Sequence, residues 1–335
     1  MFSSPQGKKR ARIIGGVLFT VLLAWSAVAI DWRIVWQQLW IMQVRWLPLA
    51  VFANVLMMTL FAGQWVMLKP ADSTVPYKNW FAITAMTLMI TNTVPYGAGQ
   101  AYGVWLISKE KGIKKGTAIS MMALEQITEG FAKLTVVGAV AAIMPLPDWL
   151  RGAMLALSGA VFGAFFILLS VAILFRGQSF TEPVDPSFGQ RVKKFLIRWA
   201  HHLESLRDFK RFFVAGLFAI SQKVFEASSI YIVQYAFGME PTVASVLLVL
   251  VSVALAQTVP VTPGNVGVYE AAAYVAYRTL GISAEQAIGM ALIHHLCILT
   301  ATVGMGYIMF WRHGMRRPQE AFAQADQAME ESGEV

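Results

Sequence analysis

Charged residues are scarce in this chain. Only 14% of its 335 residues are Asp, Glu, Lys or Arg, where a soluble globular domain carries roughly 25%. That scarcity, set beside a hydrophobic share of 57%, excludes an ordinary water-soluble domain. Cysteine is scarcer still. The lone Cys297 cannot form an intramolecular disulfide, and its apolar neighbours make it a small packing residue. Catalytic signatures are missing too: there is no G-x-S-x-G, no H-E-x-x-H and no P-loop. Nor is there the turn-punctuated, ten-residue alternation of a membrane barrel. What the chain does have is apolar runs of about 20 residues, enough to cross ~30 Å of hydrocarbon. The fold class expected is an all-α polytopic membrane protein.

Acidic residues are outnumbered, 19 against 27 Lys and Arg, and the excess is unevenly spread. Lys8, Lys9, Arg10 and Arg12 precede the first apolar run. More basic residues fill the connection 176–211, and Arg312, Arg316 and Arg317 follow the last run. Basic clusters flanking spans mark the cytoplasmic side and attract anionic headgroups. Nucleic-acid binding would need a folded basic face with base-reading side chains, and no such pattern is present.

Taken in order, Ile13–Ile30 is a first span, read as a retained signal anchor. Trp32, Trp36 and Trp40 recur every four residues on one face of an interfacial helix. Leu47–Leu68 returns to the cytoplasm. Trp80–Val94, P-Y-G-A-G-Q at Pro95–Gln100 and Ala101–Ser108 follow, ahead of Lys109, Lys111, Lys114 and Lys115. Those lysines stay cytoplasmic only if the segment enters the membrane and returns. Thr117–Met144 then goes out, Ala153–Phe175 comes back, and Phe195, Ile197, Trp199 and Leu203 in the basic connection suggest a surface-lying helix. Phe212–Phe237 goes out again. Val243–Leu280 is broken by Pro260, Pro263, Gly264 and Gly267, and must also return on itself for Ala287–Trp311 to end inside. The expectation is six full spans and two re-entrant broken-helix hairpins, near 79–108 and 243–280. Both termini lie in the cytoplasm, in one membrane domain over 1–318, followed by a polar, frayed tail over 319–335.

The two breaks echo one another. Thr93-Val94-Pro95 is followed by Gly99-Gln100, and Thr258-Val259-Pro260 by Gly264-Asn265. Entering from opposite faces, they would form an inverted repeat whose broken helices meet around a substrate site. Irregular backbone survives in a bilayer only where protein or a wet cavity satisfies it. The substrate-binding candidates at the breaks are therefore Pro95, Gly97, Gly99, Gln100, Pro260, Pro263, Gly264, Asn265 and Gly267, with half-helix N-termini at Gly99 and Gly264 offering N–H groups to an anion.

Ionisable residues inside spans cost ~2.5–3.5 kcal/mol each at the helix centre and so require a reason. Glu125, Glu129 and Lys133 form a stripe at i, i+4 and i+8, in which Glu129 and Lys133 can pair. Lys223 and Glu226 form a second set, while Glu270 sits at the second break and His294 and His295 in the last span. The bland reading of these residues is helix-fixing ion pairs and hydrogen bonds. The functional reading is a cavity lined for an anionic headgroup. The paired histidines lack the i, i+4 spacing of a helical zinc site, so no metal and no cofactor is expected.

P-V-T-P-G-N-V-G-V-Y-E at Pro260–Glu270, followed by L-G-I-S at Leu280–Ser283, resembles the flippase-like membrane family that includes the transmembrane region of lysylphosphatidylglycerol synthase. T-V-P-Y-G-A-G-Q at Thr93–Gln100 and L-E-Q at Leu124–Gln126 resemble its first-half motifs, and the likeness spans about Val51–Phe310. It departs at Gln100, Gln126, Asn265 and His294-His295, positions that bear on which lipid is handled. The resemblance implies movement of lipids or lipid-linked precursors between leaflets of a bacterial inner membrane. With 335 residues the chain is expected to be a stand-alone member without the soluble synthase domain. The leading expectation is thus a non-enzymatic, flippase-like transporter of an anionic lipid. The alternatives are a membrane enzyme modifying headgroups, with His294 or Glu270 as base, and a non-transporting partner of lipid-biosynthesis enzymes.

Overall fold

A computed structural model of the chain describes residues 31–94, 98–110, 113–145, 148–175, 197, 208–258 and 262–312. Ten α-helices and two short 3-10 turns make up almost all of this, and no strand occurs among the described residues. The span expected at Ile13–Ile30, the surface helix expected around 195–203 (Ile197 apart) and the tail 319–335 lie outside the described residues, as do Pro95, Gly97 and Pro260.

Helix α1 (Trp32–Ile41) starts on Asp31, whose carboxylate accepts from the Arg33 amide at 3.0 Å. Its tryptophans face outward: Trp36 is 62% and Trp40 74% exposed, while Val35 packs inward with Ile288. The Gln43 amide then donates to the Ala236 carbonyl at 2.8 Å, tying this segment to the end of a distant helix.

Helix α2 (Leu47–Leu68) has the bounds the apolar run predicted, with Pro48 in its first turn, where the lost N–H is harmless. Helices α5 (Lys115–Ile143), α6 (Asp148–Leu174), α7 (Phe209–Ala236) and α10 (Ala284–Arg312) each begin two to five residues before the predicted apolar run. The extra turn is polar, and polar residues suit a helix N-terminus. Asp208 accepts from the Arg211 amide at 3.2 Å, and Ser283 from that of Gln286 at 3.2 Å. Hydropathy reads the buried segment and misses the cap.

Among the described residues, four helices are long and apolar enough to cross a membrane: Val44–Leu68, Lys115–Ile143, Leu150–Leu174 and Ala284–Arg312. Helix α7 is not among them, although its 28 residues measure ~42 Å. Ser221, Gln222, Lys223, Glu226, Ser229 and Gln234 make it too polar. It lies antiparallel along α2, where Asn54 Nδ2 donates to Ser229 Oγ at 2.8 Å, Gln222 Nε2 to Gln64 Oε1 at 2.7 Å, and the Arg211 guanidinium to the Lys69 carbonyl at 2.7 Å. The polarity that disqualifies α7 by composition is turned onto a neighbouring helix.

Both predicted breaks are present. Helix α3 (Tyr77–Thr93) and α4 (Ala98–Lys109) run antiparallel across the first, with Gly103 against Thr87 and Gly99 against Thr91. Any side chain at Gly99 would run into Thr91, so glycine there sets how closely the pair can pack. Helix α8 (Val243–Ala256) and α9 (Val268–Thr279) flank the second. Between them, Pro263–Asn265 forms a 3-10 turn with Gly264 at φ 58 and Asn265 at φ 56, the left-handed region that glycine and asparagine tolerate. A Cβ on Gly264 would lie 2.7 Å from the carbonyl oxygen of Asn92, one turn short of the first break. The turn of one broken pair therefore rests on the end of the other, and α3 is held to α10 by Asn92 Nδ2 donating to Thr302 Oγ1 at 2.8 Å.

Candidate functional site

The ionisable residues singled out above collect in two adjoining groups. In the first, Lys223 of α7 is the centre. Its Nζ lies 2.7 Å from Glu129 Oε1 on α5 and 2.8 Å from Glu226 Oε2 on its own helix. Lys133, one turn beyond Glu129, approaches the same carboxylate at 3.8 Å. The predicted Glu129–Lys133 pair thus exists, but it is the weaker of two. Lys223 takes the closer position because α5 and α7 present these faces to each other. Three of these side chains keep 11–15% of their surface and Glu129 18%, so the group is largely withdrawn from solvent. In such surroundings removing one partner leaves an uncompensated charge, a cost of about 3–5 kcal/mol.

Glu125 is more deeply placed, at 3% exposure. Its Oε2 accepts from Gln126 Nε2 at 2.8 Å, and among the described residues no cation lies within ion-pair distance of it. Gln64 Nε2 donates to Thr128 Oγ1 at 2.7 Å, and Thr128 Oγ1 donates to the Glu125 carbonyl at 2.9 Å. With Gln222 on Gln64, this makes a buried, uncharged run of hydrogen bonds from α7 through α2 to α5. Gln64, Thr128 and Gln222 were missed at the level of sequence because only ionisable residues were weighed there. Buried amides and hydroxyls in an apolar helix carry the same signal at lower cost.

The second group lies where the second broken pair meets α10. The Gly267 amide donates to Glu270 Oε2 at 2.6 Å, and Glu270 Oε1 receives His295 Nδ1 at 2.6 Å. One residue along each helix, the Tyr269 hydroxyl is hydrogen-bonded to His294 Nδ1, and the Tyr269 ring stacks on His295 with centroids 4.3 Å apart. Helix α9 therefore starts at Gly267–Val268, not at Gly264, and its N-terminus is already occupied by its own carboxylate. The anion-accepting amides expected at Gly264 are displaced by this internal cap. The first turn of α4 has no acidic residue, and Gly99 lies within that turn. The two groups adjoin because α7 packs against α10.

Gln100 and Asn265 lie beside the breaks, each with a side-chain oxygen that finds no partner among the described residues. Pro263 sits in the 3-10 turn. Since Gly103 packs against Met122, helix geometry brings the start of α4, a turn away, level with Glu125 and Gln126. Gly99, packed on Thr91, lies at that end of α4, and Gly264 lies between Asn92 of α3 and Leu299 of α10.

An all-helical chain with several membrane-crossing helices, two broken pairs in contact and a buried ionic network is a multi-pass membrane protein with a polar interior. Searches of curated proteins and of solved structures found no match. The family model of the lysylphosphatidylglycerol synthase TM region matches residues 12–306, and the chain belongs to that family.

Proposed function

We propose that this protein is a flippase-like transporter that carries an anionic lipid, or a lipid-linked precursor, between leaflets of a bacterial inner membrane. Family membership supports a role in lipid handling, and the translocation reading rests on the interior. The observation that carries it is a charged network, largely shielded from solvent, in a fold whose two broken helix pairs meet at Gly264 and Asn92. In this reading the pairs α3–α4 and α8–α9 are re-entrant hairpins entering from opposite faces, an arrangement that brings half-helix ends to the midplane.

Within the network the two lysines play different parts. Lys223 bonds two carboxylates and is structural, whereas Lys133 has one long contact and can turn to a headgroup phosphate. The α4 N-terminus, free of acidic residues in its first turn, adds a favourable dipole end. The acyl chains stay in lipid. In vesicles containing acyl-labelled fluorescent phosphatidylglycerol, the protein should expose inner-leaflet label to an impermeant quencher faster than empty vesicles do. Lys133→Ala should slow this without loss of fold. Rates equal to those of empty vesicles would remove the transport reading.

A further inference from the structure

Glu125 stands out once the charges are matched. Lys223 is shared by Glu129 and Glu226, Lys133 leans on Glu129, and His295 is held by Glu270. Among the described residues Glu125, 3% exposed, retains only the neutral amide of Gln126. The described elements packed around α5 place no other cation within ion-pair distance of it. Helices α2 and α8 contain no charged residue. Helix α4 brings Tyr102, with Lys109 at its far end, and α6 brings Asp148 and Arg151, an exposed pair near the opposite end of α5. From α7 come Lys223 and Glu226, its remaining cations, Lys210 and Arg211, lying in its first turn; α5 itself brings Glu129 and Lys133, with Lys115 at its start. Ionised, Glu125 is an unmatched buried charge one turn from a second carboxylate. Protonated, it is neutral. Only these two states exist, and they differ by one proton.

We propose that Glu125 is a proton-exchange site and that lipid movement by this protein is coupled to the proton gradient. The inference rests on the transport reading. In one half-cycle a proton from the water-filled side forms an O–H bond on the Glu125 carboxylate. In the other, that bond breaks and the proton leaves towards the opposite side, with no change of oxidation state. Glu129, one turn from Glu125 on the same stripe, holds both Lys133 and Lys223. Ionisation therefore draws them from Glu129 and Glu226, and protonation returns them. Because α7 packs against α10, the exchange extends to the α9–α10 contact. Chains of buried acids and histidines serve as proton relays in membrane pumps for this reason.

The test uses the full chain in vesicles holding acyl-labelled fluorescent phosphatidylglycerol and an internal pH dye, with and without a pH step across the membrane. One unit of pH can drive a one-proton-coupled leaflet ratio from about one towards about ten. The wild type should show both a shifted ratio and proton entry. Glu125→Gln should lose both, and Glu125→Asp should recover part. If the wild type moves lipid but its leaflet ratio ignores the pH step, the inference is overturned and transport stands. If Glu125→Gln retains pH-driven accumulation, the inference is likewise overturned. If the wild type moves no lipid, both readings fall. Should Glu125→Gln not fold, the wild-type ratio and dye signal decide alone.

Discussion

The two broken helix pairs share a sequence pattern but are held in place by different forces. The α3–α4 break is fixed by neutral contacts: Gly99 against Thr91, Gly103 against Thr87, and Asn92 bonded to Thr302. The α8–α9 break is fixed by ionisable groups, with Glu270 spanning from the Gly267 amide to His295 and Tyr269 reaching His294. Close packing has one low-energy arrangement and does not respond to protons or charge. A carboxylate shared between a helix cap and a histidine depends on the charges around it. The first pair is therefore held by shape and the second largely by electrostatics.

The largest blow to that contrast should come from the hub behind the ionic pair. Lys223→Met leaves Glu226 without its cation and Glu129 with only the longer Lys133 contact, and should cost about 3–5 kcal/mol, read as a lowered melting temperature in detergent. A variant as stable as the wild type would mean the network is solvated. Gly264→Ala should come next. It forces a side chain into left-handed backbone and against the Asn92 carbonyl, for about 2–4 kcal/mol from the two effects together. Gly99→Ala should destabilise by about 1–3 kcal/mol through overpacking, and Thr91→Ala in the same chain should recover much of it. Additive losses would show that the two residues do not touch. A double-mutant cycle between Glu270 and His295 should give a coupling of roughly 0.5–3 kcal/mol. Asn92→Leu, which removes one neutral hydrogen bond, should be smallest at about 0.5–1.5 kcal/mol. The Glu270–His295 coupling should exceed the Asn92 effect; a coupling no larger than it would erase the distinction between the pairs.

Much of the fold was legible beforehand because it is local. Leu47–Leu68 was readable to the residue, and both breaks fell where proline and glycine forbid a continuous helix. Helix starts were read late by up to five residues at Asp148, since capping turns are polar and hydropathy is not. At the site, the residue types were readable but their partners were not. Lys133 is Glu129's neighbour in sequence, yet Lys223 makes the shorter contact. Glu270 was readable as a residue that could fix the second break, and its partners, the Gly267 amide and His295, were not.

The amino-acid sequence by itself determined that this chain enters a membrane, where its helices run and where they fail. Those outcomes depend on side-chain hydropathy and on backbone groups within a few residues. Only the tertiary structure decided that Gly264 rests on Asn92, that Lys223 bridges two glutamates, and that Glu125, among the described residues, is left with an amide alone. Those outcomes depend on which faces of distant helices meet, and a charge in a span settles on whichever partner that meeting brings closest.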